Sequence, residues 1–187
     1  RVVRQTRVRR NSRVLSEGCP HSKYAYGPEF KRGNIRNLPG EILPYIDEVE
    51  LGDEIGPVEK VASDENVANF CDVWGAPTPN RFTDAKTATK SGMPGAIVPG
   101  IMAMAMMAQL LTDWGGPGSI KDLDLVFRQP VPHNRPLTLA ATITDLREEA
   151  GEHLVECDIL MTGTEGERYV GGKAIVTLAA RRLTAFS

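Results

Sequence analysis

The sequence predicts an α+β domain in which one antiparallel sheet packs by a single face against an apolar helix, and three observations carry that prediction. First, residues 123–127, 137–143, 155–161 and 174–178 alternate apolar and polar side chains. That is the period-two pattern of strands with one buried face. Second, residues 101–112 place Met102, Ala103, Met104, Ala105, Met106, Met107, Ala108, Leu110 and Leu111 on every side of a helix. A helix apolar all round is expected to be buried all round, since each large apolar side chain left in water forfeits about 1.5–3 kcal/mol. Third, the links carry Pro130, Pro132 and Pro136, a turn at 149–151 and a Gly-bounded turn at 163–166. These suit antiparallel connections.

The elements follow in chain order. Residues 49–51 and 55–61 read as two short extended pieces separated by the turn-like Gly52-Asp53. Ser63 is placed to cap a helix, with Asp64 and Glu65 favouring its positive end. That helix runs to Trp74, buries Val67, Phe70, Cys71 and Trp74 as one stripe, and stops at Gly75. Cys71 on this stripe reads as a small buried apolar residue. Pro77 and Pro79 exclude regular helix over 76–82 and stiffen that loop. Thr83 then caps a short helix ending at Gly92, and a second rigid turn, 94–100, leads into the apolar helix.

With 187 residues, 41% hydrophobic and 25% charged, the chain has material for one sizeable core. We expect a domain over 45–187 and a basic, irregular extension over 1–44. Residues 1–36 hold ten Lys or Arg against two acids, a formal +8. Residues 37–187 hold twelve against twenty-two, a formal −10. The arm is therefore expected to lie on the acidic body of its own or a neighbouring subunit. A transit-peptide remnant and a polyanion-binding tail are the alternatives; nucleic-acid binding ranks last among the functions of the protein, because the body is acidic and no aromatic stacking platform accompanies the arginines. Cys19, Cys71 and Cys157 are odd in number and widely spaced, which fits neither a disulfide framework nor a CxxC site. A reducing compartment, the cytoplasm, is expected. The apolar stretch 96–111 is interrupted by Pro99 and Gly100 and falls short of the roughly 20 residues of a membrane span. A soluble protein is expected.

Between Trp74 and Leu111 the order of parts is Trp-Gly-Ala-Pro-Thr-Pro-Asn-Arg-Phe-Thr-Asp-Ala, then Gly-Met-Pro-Gly-Ala-Ile-Val-Pro-Gly, then the Met- and Ala-rich helix. This order, with Phe127-Arg128-Gln129-Pro130-Val131 further on, resembles the MaoC-like acyl-CoA hydratases and dehydratases over roughly 45–180. The family motif is Gly-Asp-x-Asn-Pro-x-His-x-Asp followed by an Ala-Pro-Gly or Ala-His-Gly turn. Gly75, Pro79, Pro99 and Gly100 fit it, whereas Ala76 and Arg81 stand where the family's catalytic Asp and His belong. The resemblance implies a hot-dog fold, an antiparallel sheet wrapped around the central apolar helix. It implies hydration or dehydration at a 2-enoyl or 3-hydroxyacyl thioester, coenzyme A thioester as substrate, no separate cofactor, and a homodimer or a heteromer with a second hot-dog chain.

By the same resemblance the amide of Gly100 holds the thioester oxygen, consistent with the unpartnered N–H groups and dipole at a helix start. The acid/base pair is replaced: Ala76 exchanges no proton and an arginine is no base near neutrality. Asp72, Arg81 and Asp84 are the remaining catalytic candidates around the loop, and Asn80, Val98, Gly100 and His133 the substrate-binding ones. Asp84 also reads as an acid in the first turn of a helix. Arg81 reads equally as a carboxylate or phosphate ligand and as one half of an ion pair closing the loop. His133 stands beside Asn134-Arg135, where active relatives carry Gly-Asp, and a relocated acid/base group is sought among Asp72, Asp84 and His133. His21, His133 and His153 all read as solvent-facing. No metal site is expected, Cys19-Pro-His21 lacking a distant pair. The competing reading is a catalytically degenerate hot-dog subunit that binds an acyl thioester or supports an active partner.

Overall fold

The computed structural model describes residues 43–181, so the basic arm, Cys19 and His21 lie outside the described residues. The chain enters through a short 3-10 turn, Ile46–Glu48, tied to the far end of the domain by Ile46 N–H donating to the Ala179 carbonyl. Five strands and three helices follow: β1 (Glu54–Val61), α1 (Asp64–Trp74), α2 (Ala85–Lys90), α3 (Gly100–Gly115), β2 (Ile120–Phe127), β3 (Pro136–Glu149), β4 (Glu152–Thr162) and β5 (Arg168–Leu178). The strands form one antiparallel sheet in the order β1-β3-β4-β5-β2. The inner face carries the alternating residues Leu137, Leu139, Ala141, Ile143, Val155, Cys157, Ile159, Met161, Ala174, Val176 and Leu178, all buried. α3 packs on that face through Ala103, Met107, Leu110, Leu111 and Trp114. This is the expected hot-dog arrangement.

Local chemistry explains the helix boundaries. Ser63 Oγ accepts from Asn66 N–H at the start of α1, and Gly75 ends it in the left-handed conformation, its N–H reaching Asp72 and Cys71 carbonyls. Only a residue without a Cβ adopts that φ of 72° at little cost.

The structure corrects several sequence expectations. Residues 49–51 form no strand, because nearby carboxylates capture the local amides: Glu48 Oε2 accepts from Tyr45 N–H and Asp53 Oδ2 from Glu50 N–H, bending the chain into turns. The short helix starts one residue late, capped by Asp84 instead of Thr83. On α1 only Val67 and Cys71 are buried; Trp74 is 52% exposed, its ring leaning on Phe70 and Phe82 at 6.1 Å. The helix α3 is not buried all round. Ile101, Met104 and Phe127 are 49%, 39% and 44% exposed, an uncovered apolar patch where the start of α3 meets the edge strand β2; Val126, on the opposite face of that strand, is exposed as well. The described residues supply one sheet face, which covers only one side of the helix.

Candidate functional site

Three chain segments run side by side where α3 begins. The Arg81 carbonyl of loop 76–82 accepts from Ile97 N–H at 3.4 Å, Val98 N–H donates to the Val131 carbonyl at 2.9 Å, and Ile97 bridges Pro132 antiparallel. Val98 and Pro99 are buried, so the chain is held rigidly up to Gly100. There the helix opens without a side-chain cap. The Pro99 carbonyl accepts from Met102 and Ala103 N–H. Among the described residues the N–H groups of Gly100 and Ile101 find no acceptor. They open the positive end of a 16-residue helix, on two exposed residues, an arrangement suited to an oxygen that gains negative charge. The Phe127 ring lies beside them, 3.5 Å from where a Cβ on Gly100 would stand.

The loop is self-satisfied. Asn80 Oδ1 accepts from Phe82 N–H, Thr83 N–H and the Thr83 hydroxyl, while its amide donates to the Pro77 carbonyl. That bonding uses Asn80 to shape the loop around the cis Thr78-Pro79 bond. Asp84 caps α2 through Oδ2, which accepts from both N–H and hydroxyl of Thr87 at 2.7 and 2.6 Å. The hydroxyl bond first, then the backbone bond, hold its carboxyl below the ordinary aspartate range, which weakens it as a base. Arg81 is exposed, with its guanidinium 5.0 Å above the Phe82 ring. Among the described residues no carboxylate pairs with it, so the loop is not closed by the ion pair considered from sequence. Asp72 is exposed on the last turn of α1. Structure thus brings Asn80, Arg81, Asp84, Val98 and Gly100 to one end of the domain.

His133 overturns its solvent-facing expectation. Its side chain is 8% exposed and Nδ1 lies 2.8 Å from Asp64 Oδ1, whose own side chain is 76% exposed. Asn134, in the left-handed region at φ 55°, donates its N–H to the Ala62 carbonyl and accepts from Asp64 N–H. The imidazole is thereby pinned against the first turn of α1. Its Nε2 is buried and has no partner among the described residues, a state that costs about 1–3 kcal/mol for a polar atom. Sequence reasoning missed Asp64 as a partner because it sits 69 residues from His133 and looked like one of two acids at a helix start. His153 is half-buried at the start of β4, also against expectation. Cys71 and Cys157 are free, buried thiols; desolvation first, then Asp158, pushes Cys157 up to about 12 and keeps it unreactive. Further along α3, Lys60 Nζ donates to Gln109 Oε1, and burial, against the pull of Asp113, lowers the lysine's pKa.

The bonded carboxylates set an acid limit. Asp64 (held by His133 first, then Asn134), Asp84, and Glu156 (held by Lys173 first, then Arg147) all sit below their unfolded values. Groups with depressed folded pKa contribute stability that is whole above the unfolded value, near 4, and fades as pH falls through the folded one. We expect the melting temperature, followed by circular dichroism, to be level from pH 7 to about 5 and to drop below about 4. Asp84→Asn should flatten part of that drop; an unchanged acid limb would remove Asp84 from the account.

The sequence matches no protein-family model and no curated protein sequence. The structure does have solved counterparts. An (R)-hydratase from A. caviae involved in PHA biosynthesis superposes with TM-score 0.62 at 23% identity, over 70% of this chain and 97% of that one. A MaoC-like dehydratase from Rhodospirillum rubrum gives TM-score 0.63 at 20% identity, over 75% and 99%. The HadBC (3R-hydroxyacyl-ACP dehydratase) complex from Mycobacterium tuberculosis gives 0.57 at 19%, over 68% and 96%. The chain therefore has the hot-dog fold of the MaoC-like dehydratases and (R)-hydratases, across almost the whole length of each.

Proposed function

We propose that this protein is a MaoC-like hydratase or dehydratase that binds a 2-enoyl or 3-hydroxyacyl thioester, with the thioester carbonyl on the Gly100 and Ile101 amides. The uncapped N-terminus of α3 is the observation that carries this reading. When water adds at C3 of an enoyl thioester, negative charge collects on the carbonyl oxygen, and fixed amides stabilise that charge without reorganising. The fold shared with an (R)-hydratase and MaoC-like dehydratases supports it. The reaction moves no electrons to an external acceptor, so the reading needs no redox cofactor; coenzyme A enters as part of the substrate. Among the described residues no helix is long and apolar enough to cross a membrane, and we place the protein in the cytoplasm on its buried free thiols. The test is loss of enoyl absorbance on adding crotonyl-coenzyme A, together with calorimetric titration of the same thioester. No binding at any chain length would end the proposal.

A second reading, a thioester-binding subunit without turnover of its own, is favoured by Asn80 and Asp84 both being consumed by local bonds. Binding without product would select it.

The reading includes a second hot-dog chain, identical or homologous, on the patch of Ile101, Met104 and Phe127. The unpaired edge of β2 lies there, and exposed apolar residues beside a free strand edge are an interaction surface by chemistry. The HadBC neighbour is itself a complex. Met104→Glu with Phe127→Glu should convert the assembly to single chains in sedimentation velocity while the circular dichroism spectrum holds. Retained assembly would place the interface elsewhere.

A further inference from the structure

Trp74, at the end of α1, is 52% exposed. Its indole is held by Phe70 and by Phe82, each ring tilted with its centroid 6.1 Å away. The Arg81 guanidinium lies 5.0 Å from the centroid of the same Phe82 ring. Arg81 is exposed, and no carboxylate of the described residues pairs with it, although residues 37–187 carry a formal −10. An indole and a guanidinium therefore meet solvent on one surface, with a single phenyl ring between them.

That pair of groups selects a ligand chemistry. An aromatic face stacks any base, and a guanidinium takes a phosphate or carboxylate through two parallel hydrogen bonds. A simple carboxylate would leave Trp74 unused, and a neutral ring would leave Arg81 unused. A nucleotide uses both. Position agrees with this choice. The Arg81 carbonyl accepts from Ile97 N–H, so loop 76–82 borders the segment entering α3, whose next amide, Val98 N–H, bonds to Val131. Gly100 follows Ile97 by three residues, a chain reach of at most roughly 11 Å. The cluster thus stands near the proposed carbonyl seat yet at the surface. An apolar acyl chain gains by leaving water and a charged nucleotide does not, so a half-exposed surface suits the carrier end of a thioester.

We propose that the Trp74–Arg81 surface binds the nucleotide of coenzyme A, with adenine against the indole and a phosphate on the guanidinium; this rests on the proposed thioester reading and identifies the carrier. Thioesters of a carrier protein end in phosphopantetheine and offer no adenine to this surface.

Fluorescence tests the assignment directly, because the chain has two tryptophans and Trp114 is buried. Adenosine 3′,5′-bisphosphate should quench the wild type saturably and leave Trp74→Leu unchanged, while inorganic phosphate should quench neither. By calorimetry, crotonyl-coenzyme A should bind more tightly than crotonyl-pantetheine, the same thioester without its nucleotide. Trp74→Leu should weaken the coenzyme A thioester about 5–50-fold and Arg81→Gln about 10–100-fold, each with little effect on the pantetheine thioester. Arg81→Lys should restore part of that loss, and all three variants should melt with the wild type. Equal affinity for the two thioesters, or quenching by inorganic phosphate as strong as by the bisphosphate, overturns the inference and leaves the proposed function standing. An Arg81→Gln loss of the same size on both thioesters also overturns it, placing Arg81 at the acyl end. Quenching by the bisphosphate with no affinity for either thioester keeps the nucleotide site and removes the hydratase reading. Binding of none of these ligands removes both.

Discussion

Gly100→Pro is expected to lower enoyl-thioester hydration about 10²–10³-fold, the measured scale for deleting one donor to a developing oxyanion, while leaving the fold intact. The substitution removes one N–H and little else. Gly100 is the first residue of α3, where proline is well tolerated because that amide has no intrahelical partner. The residue before a proline must be extended, and Pro99 already is, at φ −55° and ψ 134°. Gly100→Ala is the control, since it keeps the N–H and sets its Cβ at ordinary contact, 3.5 Å, from the Phe127 ring. Turnover and thioester affinity should separate the two variants, with circular dichroism and melting temperature alike in both. If Gly100→Pro matches Gly100→Ala in both turnover and affinity, the carbonyl does not sit on α3. In a protein that binds without turnover the same comparison is made on affinity alone, with a smaller expected gap because the ground-state carbonyl carries less charge.

How much of this could be read in the sequence depends on the range of the interaction. The Ser63 cap, the Gly75 stop and the Pro99-Gly100 opening of α3 are set within a few residues, and all three stand where the pattern puts them. The inner face of β3 and β4 was legible because alternation continues over many residues. β5 was legible only from Ala174; its first half contains Gly171 and Gly172, which carry no side chain to alternate, so the pattern stops where the strand does not. Exposure of Ile101 and Met104 was not legible. Hydrophobicity states that a residue should leave water, and says nothing about which chain covers it. At the site, Asp84 showed its helix-start role in advance, but the occupation of Asn80 by Phe82 and Thr83 depends on how the loop closes. His133 was misread for the most physical reason: a histidine in a Pro-rich turn is exposed by default, and only the fold brings Asp64 and the Ala62 carbonyl across to bury it.

The largest loss of stability is expected at Gly172. It sits on β5 between β4 and the edge strand β2, opposite Leu125 on one side and Ile159 on the other. A Cβ there would collide with the Asp124 carbonyl oxygen and stand 2.9 Å from its carbon and 3.0 Å from Leu125 Cα. These are backbone atoms in a hydrogen-bonded ladder, unable to turn aside as a side-chain end would. Overpacking of a core costs about 1–3 kcal/mol and more where nothing yields, so Gly172→Val should lie at or above the top of that range. In a domain of this size that corresponds to a melting temperature lower by about 6–12 °C. Gly171→Ala is the contrasting variant, because its nearest neighbours, Leu160 Cδ1 and the Ile159 carbonyl, are at 3.6 and 3.7 Å; it should melt within about 3 °C of the wild type. The damage from Gly172→Val should also be directional. β2 holds the sheet through β5 alone, and it carries Phe127, the ring beside the Gly100 amide. Displacing it should therefore raise hydrogen exchange along Ile120–Phe127 before β3 and β4 are affected, and weaken thioester binding and chain pairing together. Uniform exchange across the sheet, or a melting temperature within 2–3 °C of the wild type, would mean that β2 and β5 do not approach each other as closely as the glycine requires.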